Sequence, residues 1–229
     1  MGEFAGSRPA SFIGKNMKEK VRTIFSRKER KTIVDKSLSR AAILLLFYQI
    51  EGKYYILFTK RTEDVEHHKG QISFPGGTYH DSDKTLASTA LRESFEEIGV
   101  KEEDVDILGE LDDLITVSSN YIVTPFIGTL PGPYKFEINE NEVEEIIEVP
   151  LSALLDKDGF REGSWVHEGR SHPTYFYQYQ EHTIWGATAT ILKQFLDLFF
   201  NKFQVLGPAE AKRGSKERGQ QDEDSGKQT

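Results

Sequence analysis

The stretch Phe74 to Val100, FPGGTYHDSDKTLASTALRESFEEIGV, constrains this chain more than any other. Its glycine pair, Gly76-Gly77, breaks regular structure and lets backbone carbonyls approach a ligand closely. A helix is expected from Thr85, with Asp83 as its N-cap and Gly99 as its terminator. On that helix Glu93, Glu96 and Glu97 stand at i, i+3 and i+4 and share one face. Ala87, Leu91, Phe95 and Ile98 then form an opposite, apolar face for docking on a core. Carboxylates so close repel one another by roughly a few tenths of a kcal/mol per pair unless a cation sits among them. Oxygen ligands at that density suit magnesium or manganese, not zinc. A solvated acidic face is the competing reading, and helix geometry alone leaves both open.

The chain has 229 residues, enough to bury a substantial core, and one catalytic domain with extensions is the expected organisation. No apolar run approaches the length of a membrane span, which argues against integral membrane contact. A formal net charge of -8 argues against general affinity for nucleic acid. The sign is uneven, because Lys18, Lys20, Arg22, Arg27, Lys28, Arg30, Lys31 and Lys36 make the segment before Arg40 basic. With no cysteine, disulfides, thiolate zinc sites and a cysteine nucleophile are excluded. The opening residues MGEFAGSRPASF lack the apolar run of a secretory signal, so the cytoplasm is the expected location, and Met17 is a candidate natural start.

Residues 1–38 read as a basic extension, partly helical: a loose leader, then Met17, Val21, Ile24 and Phe25 at i, i+4, i+7 and i+8. That helix is expected to pack on the domain or on a twin subunit, which allows for a homodimer, with contact to anionic lipid as the alternative. Ala41 to Ile50 and Tyr54 to Thr59 read as a hairpin. Further strands are expected over Val105 to Leu111, Ile115 to Val117, Ile122 to Thr129 and Val143 to Val149, with a short helix opened by Pro150. Tyr175 to Tyr179 and His182 to Ile184 suggest a second hairpin, followed by a helix over Ala187 to Phe203. Residues 204–229 form a polar tail expected to be disordered. Interleaved strands and helices point to a mixed α/β domain over residues 39–203.

Gly77, Asp83 and Arg92-Glu93-x-x-Glu96-Glu97-x-Gly99 followed by Val100 resemble the Nudix box of the Nudix hydrolases. Three departures stand out: Asp83 where a glutamate is usual, one extra residue before Arg92, and Ser94 in place of a bulky apolar residue. Upstream, Leu57-Phe58-Thr59-Lys60-Arg61-Thr62 and Gly70-Gln71-Ile72-Ser73-Phe74-Pro75-Gly76-Gly77 are similar to the second signature of the coenzyme A diphosphatase branch, with Glu66 replacing a commonly basic residue. The resemblance continues through Leu111-Asp112-Asp113, Val123-Thr124-Pro125, Glu142-Val143, Val149-Pro150-Leu151 and Ile184-Trp185-Gly186-Ala187-Thr188.

The resemblance implies an α/β/α sandwich with a mixed sheet and a metal-dependent hydrolase. The implied reaction cleaves the diphosphate of coenzyme A or acyl-CoA to 3′,5′-ADP and (acyl-)4′-phosphopantetheine. It also implies that Glu93, Glu96 and Glu97, with the carbonyl of Gly77, hold Mg2+ or Mn2+, and that Arg92 fixes a box carboxylate. The general base is implied to be Glu93 or a later acid among Glu140, Glu142, Glu144 and Glu145, of which Glu142 is favoured. Arg61 and Gln71 are the candidate substrate contacts, Arg61 being equally readable as a surface ion pair. ADP-ribose, a dinucleotide or a nucleoside triphosphate are alternative substrates, and a nucleotide-sensing module without turnover is the alternative of another class. His67-His68 lacks a third nitrogen or sulfur ligand and is expected to be loop structure or to lie near the substrate. Trp185-Gly186 is expected to pack the last helix onto the sheet, with stacking on a base as the alternative, and Tyr175, Phe176, Tyr177 and Tyr179 to pack likewise, with a pantetheine arm lying on that surface as the alternative.

Overall fold

Strands β1 (Ser39–Ile50) and β2 (Lys53–Arg61) form the expected hairpin. Its turn holds Glu51 and Gly52 at φ 48° and 80°, the left-handed pair that matches strand twist in a two-residue loop. The computed structural model describes residues 17–62 and 70–205. The leader before Met17, Glu66, the His67-His68 pair and the tail from Gly207 lie outside them.

A mixed sheet grows from this hairpin. Strand β1 runs parallel to β7 (Tyr121–Thr129), whose far edge pairs antiparallel with β5 (Asp106–Glu110) and β6 (Leu114–Ile115). Strand β2 pairs antiparallel with β3 (Ile72–Ser73) and β8 (Val143–Pro150). The remaining strand, β4 (Gly76–Thr78), pairs with residues 41–43 of β1, while β2 pairs with residues 47–50. One edge of β1 is thus shared between two diverging strands, and the chain crosses from β2 to β1 at Phe74-Pro75, where the Leu44 amide donates to the Pro75 carbonyl at 2.8 Å. Gly76-Gly77, expected to interrupt regular structure, instead forms this short strand, because its backbone can still pair with β1.

Residues of β1 alternate between two cores, as strand geometry requires. Ala42, Leu44, Leu46 and Tyr48 face one core together with Ala90, Leu91 and Ile98 of helix α2 (Leu86–Ile98). Leu45 and Phe47 face the other, which is closed by α1 (Met17–Ser26) and α4 (Gly186–Val205). The α/β/α sandwich is therefore present. The short helix α3 (Leu151–Leu154) starts at Pro150, as expected.

Helix α1 buries Met17, Val21, Ile24 and Phe25, and these apolar side chains join the core of their own chain. The segment after it is held by ion pairs from Lys28 to Asp112 and from Arg30 to Glu110, and by the Ile33 amide donating to buried Asp113 at 2.9 Å. A second sheet, β9 (Phe160–His167), β10 (Arg170–Tyr179) and β11 (His182–Trp185), is antiparallel throughout and leads directly into α4. Strand β9 adds a third member to the expected second hairpin.

Phe195 on α4 is fully buried and stacks on Phe47 and Phe199 at centroid distances of 6.4 and 6.1 Å, tying α4 to the central strand. Phe195→Ala is expected to destabilise the protein by about 3–5 kcal/mol. Urea unfolding followed by circular dichroism checks this; a change below about 1 kcal/mol would show that α4 contributes little to the core.

Candidate active site

Helix α2 starts slightly later than the sequence suggests. Its N-cap is Thr85, whose hydroxyl accepts from the Ser88 amide at 3.1 Å. Asp83 is not the cap, because its carboxylate is already taken: it accepts from Arg92 Nε and Nη2 at 2.9 and 3.1 Å, from Thr89 Oγ1 at 2.9 Å and from the His80 amide at 3.0 Å. Gly99 ends the helix at φ 70°, as expected.

The buried face also differs from the expected one. Ala90, Leu91, Ser94, Glu97 and Ile98 are buried, whereas Phe95 is 57% exposed. The acidic face is therefore divided. Glu97 is buried at 2% exposure, Glu93 is partly buried, and Glu96 is exposed. The reason lies across the interface: a β-carbon at Gly77 would stand 2.4 Å from the Glu93 carboxyl carbon, and one at Gly76 only 2.3 Å from the Ala42 carbonyl oxygen. Absent side chains on β4 let α2 sit down on its carboxylates. Ser94, small where a bulky residue would be usual, is fully buried and donates to the Ala90 carbonyl at 2.7 Å.

Arg92 organises the rest. Besides gripping Asp83, it donates to the Thr78 carbonyl at 3.1 Å and contacts Glu93 Oε1 at 2.9 Å and Glu96 Oε2 at 2.8 Å. This bidentate, charge-assisted grip holds the Asp83 carboxyl well below the usual carboxylate range and raises Arg92. Arg92 does not line the neighbouring cavity; its role here is to position carboxylates.

That cavity, of about 780 Å³, opens where β2 and β4 diverge. Its floor contains Glu93, Glu97, Glu142, Arg61, Gln71 and the Gly76-Gly77 backbone. Burial pushes Glu97 up to about 8, with Glu93 and Glu142 adding repulsion against the opposing pull of Arg61. Glu93 is also raised, chiefly by burial, although Arg92 opposes the shift. Arg61 Nη1 lies 3.7 Å from Glu97 Oε1, and its buried Nε has no hydrogen-bond partner among the described residues. Of the four later acids, Glu142 lines the cavity and accepts from Asn139 Nδ2 at 3.1 Å; Glu144 pairs with Lys60, Glu145 lies 3.7 Å from His182, and Glu140 is exposed.

The expected trio is thus split, with Glu96 turned to Arg92 and outside the cavity lining. Among the described residues no three His, Asp or Glu side chains are drawn together closely enough to hold a metal ion as they stand. The donor set nevertheless fits a hard divalent cation. It is all oxygen, it is desolvated, and its mutual repulsion is compensated only partly by Arg61.

The family model described as the NUDIX domain matches residues 38–168. The chain belongs to the Nudix hydrolase family. It is 40% identical over 156 residues to NudL of Photorhabdus laumondii, described as an uncharacterized Nudix hydrolase, covering 68% of this chain and 83% of that one. NudL of Yersinia pestis (strain Pestoides F) is 38% identical over 155 residues, covering 68% and 77%. A MutT/nudix family crystal structure from Enterococcus faecalis aligns over 90% of this chain and 81% of that one, with 14% identity and a TM-score of 0.49. As a Nudix hydrolase the protein acts on the diphosphate bond of a nucleoside diphosphate derivative, and hydrolases of this family generally use divalent metal ions.

The protonation of Glu97 carries a sign that can be measured. Its folded-state value of about 8 lies above its ordinary value of 4.5, so the folded state holds the extra proton in that window. Without a cation, stability therefore falls as pH rises from about 5 to about 8, by at most roughly 1.4 kcal/mol for each step of one in pH. The melting temperature of chelator-treated protein is expected to drop over this range, and to drop less in Glu97→Gln. An equal slope in both proteins contradicts the burial of an uncompensated carboxyl.

Proposed function

We propose that this Nudix hydrolase cleaves the diphosphate of coenzyme A or its thioesters, releasing 3′,5′-ADP and 4′-phosphopantetheine or its acyl form. The observation that carries this reading is that both signatures line one cavity: Arg61, Gln71 and the glycine pair from the upstream signature, Glu93 and Glu97 from the box.

Glu93 and Glu97, joined by Glu96 on release from Arg92 and by the Gly77 carbonyl, would hold Mg2+ or Mn2+. The ion supplies charge neutralisation at the phosphate oxygens and a lowered pKa for bound water. The chain's own residues do the rest. Arg61, whose buried Nε has no hydrogen-bond partner among the described residues, binds a non-bridging phosphate oxygen, and Gln71 beside it adds a neutral polar contact. Arg92 and Asp83 hold α2 so that Glu93 stays beside Gly77. Water adds to one phosphorus, the bond from that phosphorus to the bridging oxygen breaks, and the water's proton passes to the Glu142 carboxylate. Asn139 fixes that carboxylate by its hydrogen bond.

The box recognises metal and diphosphate; the choice of coenzyme A rests on the upstream signature. With no cysteine, the chain suits a reducing compartment such as the cytoplasm, and no helix among the described residues is long and apolar enough to cross a membrane.

Incubation of the full chain with coenzyme A and Mg2+ or Mn2+, followed by product separation, is expected to yield 3′,5′-ADP and 4′-phosphopantetheine. ADP-ribose consumed in its place, with coenzyme A intact, removes the specific assignment. Glu142→Gln is expected to lower kcat by about 100- to 10,000-fold. A variant with wild-type kcat assigns the base elsewhere.

A further inference from the structure

The cavity that holds the carboxylates continues to an aromatic wall that the diphosphate chemistry leaves unused. Trp165 of β9, His172 of β10 and Trp185 of β11 all line it. The Trp165 and Trp185 rings meet edge to face at 5.6 Å and 74°, and His172 lies 5.9 Å from Trp165. Trp185, expected to pack the last helix, thus contributes to a cavity wall. All three side chains are only half-buried, although tryptophan is the residue type that gains most from full burial.

Their placement follows from the register of the small sheet. Trp165 stands opposite His172 across β9 and β10, and Trp185 opposite Phe176 across β10 and β11. Two indoles and an imidazole are thereby gathered on one side of a hairpin sheet whose last strand runs straight into α4.

We infer that Trp165, Trp185 and His172 form the platform on which the flat nucleobase of the substrate stacks, so that the β9–β11 sheet determines specificity for a nucleotide. This rests on the reading of the same cavity as a diphosphate site. A base offers a π-face to an indole and ring nitrogens to the imidazole, whereas a flexible amide chain such as pantetheine offers neither and loses more entropy on ordering. Stacking on aromatic rings is sequence-tolerant, so the platform selects for a base and leaves its identity to edge contacts.

The sequence contains two tryptophans, and both are in this wall, so intrinsic tryptophan fluorescence of the whole protein reports on it alone. ADP titrated into the wild-type chain with Mg2+ is expected to change that fluorescence saturably, and 4′-phosphopantetheine and inorganic pyrophosphate are not. For the hydrolysed substrate, Trp185→Leu and Trp165→Leu are expected to raise KM roughly tenfold or more with kcat altered by less than about threefold. A response to 4′-phosphopantetheine with none to ADP overturns the proposal by giving the wall to the other half of the substrate. No response to any probe overturns it as well. If coenzyme A is not hydrolysed yet ADP gives the response, the platform stands and only the substrate assignment fails. If coenzyme A is hydrolysed and ADP is silent, the platform alone fails. Because the fluorescence measurement uses the unaltered protein, a variant that does not fold leaves the test intact.

Discussion

The close approach of α2 to β4 sets the electrostatics of everything beside it. Gly77 leaves the space that the Glu93 carboxyl group fills, and Gly76, at φ 150°, adopts a backbone conformation that side chains disfavour while its amide donates to Glu97 Oε2 at 3.3 Å. A helix bearing glutamates would ordinarily turn them to water. Here the glycine pair draws two of them into a desolvated floor, where burial raises both carboxyls. The site thus stores repulsion that a cation would relieve.

Arg92 resolves what the floor cannot. Its guanidinium binds Asp83, touches Glu93 and Glu96, and caps the Thr78 carbonyl, so one cation serves the outer carboxylates while Arg61 faces the inner one. The division has a chemical consequence. Arg92 is taken up by the scaffold, whereas Arg61 lines the cavity with a buried Nε that has no hydrogen-bond partner among the described residues, and it is Arg61 that we propose as the phosphate ligand.

Much of this was legible in the sequence where a local signal and the tertiary environment agree. The β1–β2 hairpin, the start of α3 at Pro150 and the stop of α2 at Gly99 are set by residues within a few positions of the feature they define. Features set by distant partners were not. Asp83 has the chemistry of an N-cap, but Arg92, nine residues on, takes it from the helix amides. Phe95 has the chemistry of a core residue, yet the seat left by Gly76-Gly77 rotates α2 so that Ser94 and Glu97 take the interior. Strand β9 hid because its half-buried positions include Gly163 and His167, which carry no apolar alternation. The pairing of Trp165 with Trp185 across separate strands has no signature in sequence at all.

We propose that the buried, mutually repelling carboxylates on α2 form a divalent metal centre. Isothermal titration of Mn2+ into metal-stripped protein near pH 7 tests it most directly. Since burial pushes the Glu97 carboxyl well above the usual carboxylate range, binding is expected to expel a proton, so that the apparent enthalpy varies with the ionisation enthalpy of the buffer. A site with this buffer dependence, lost in Glu97→Gln, is expected. Absence of any site, or an equally tight site with the same buffer dependence in Glu97→Gln, would contradict it.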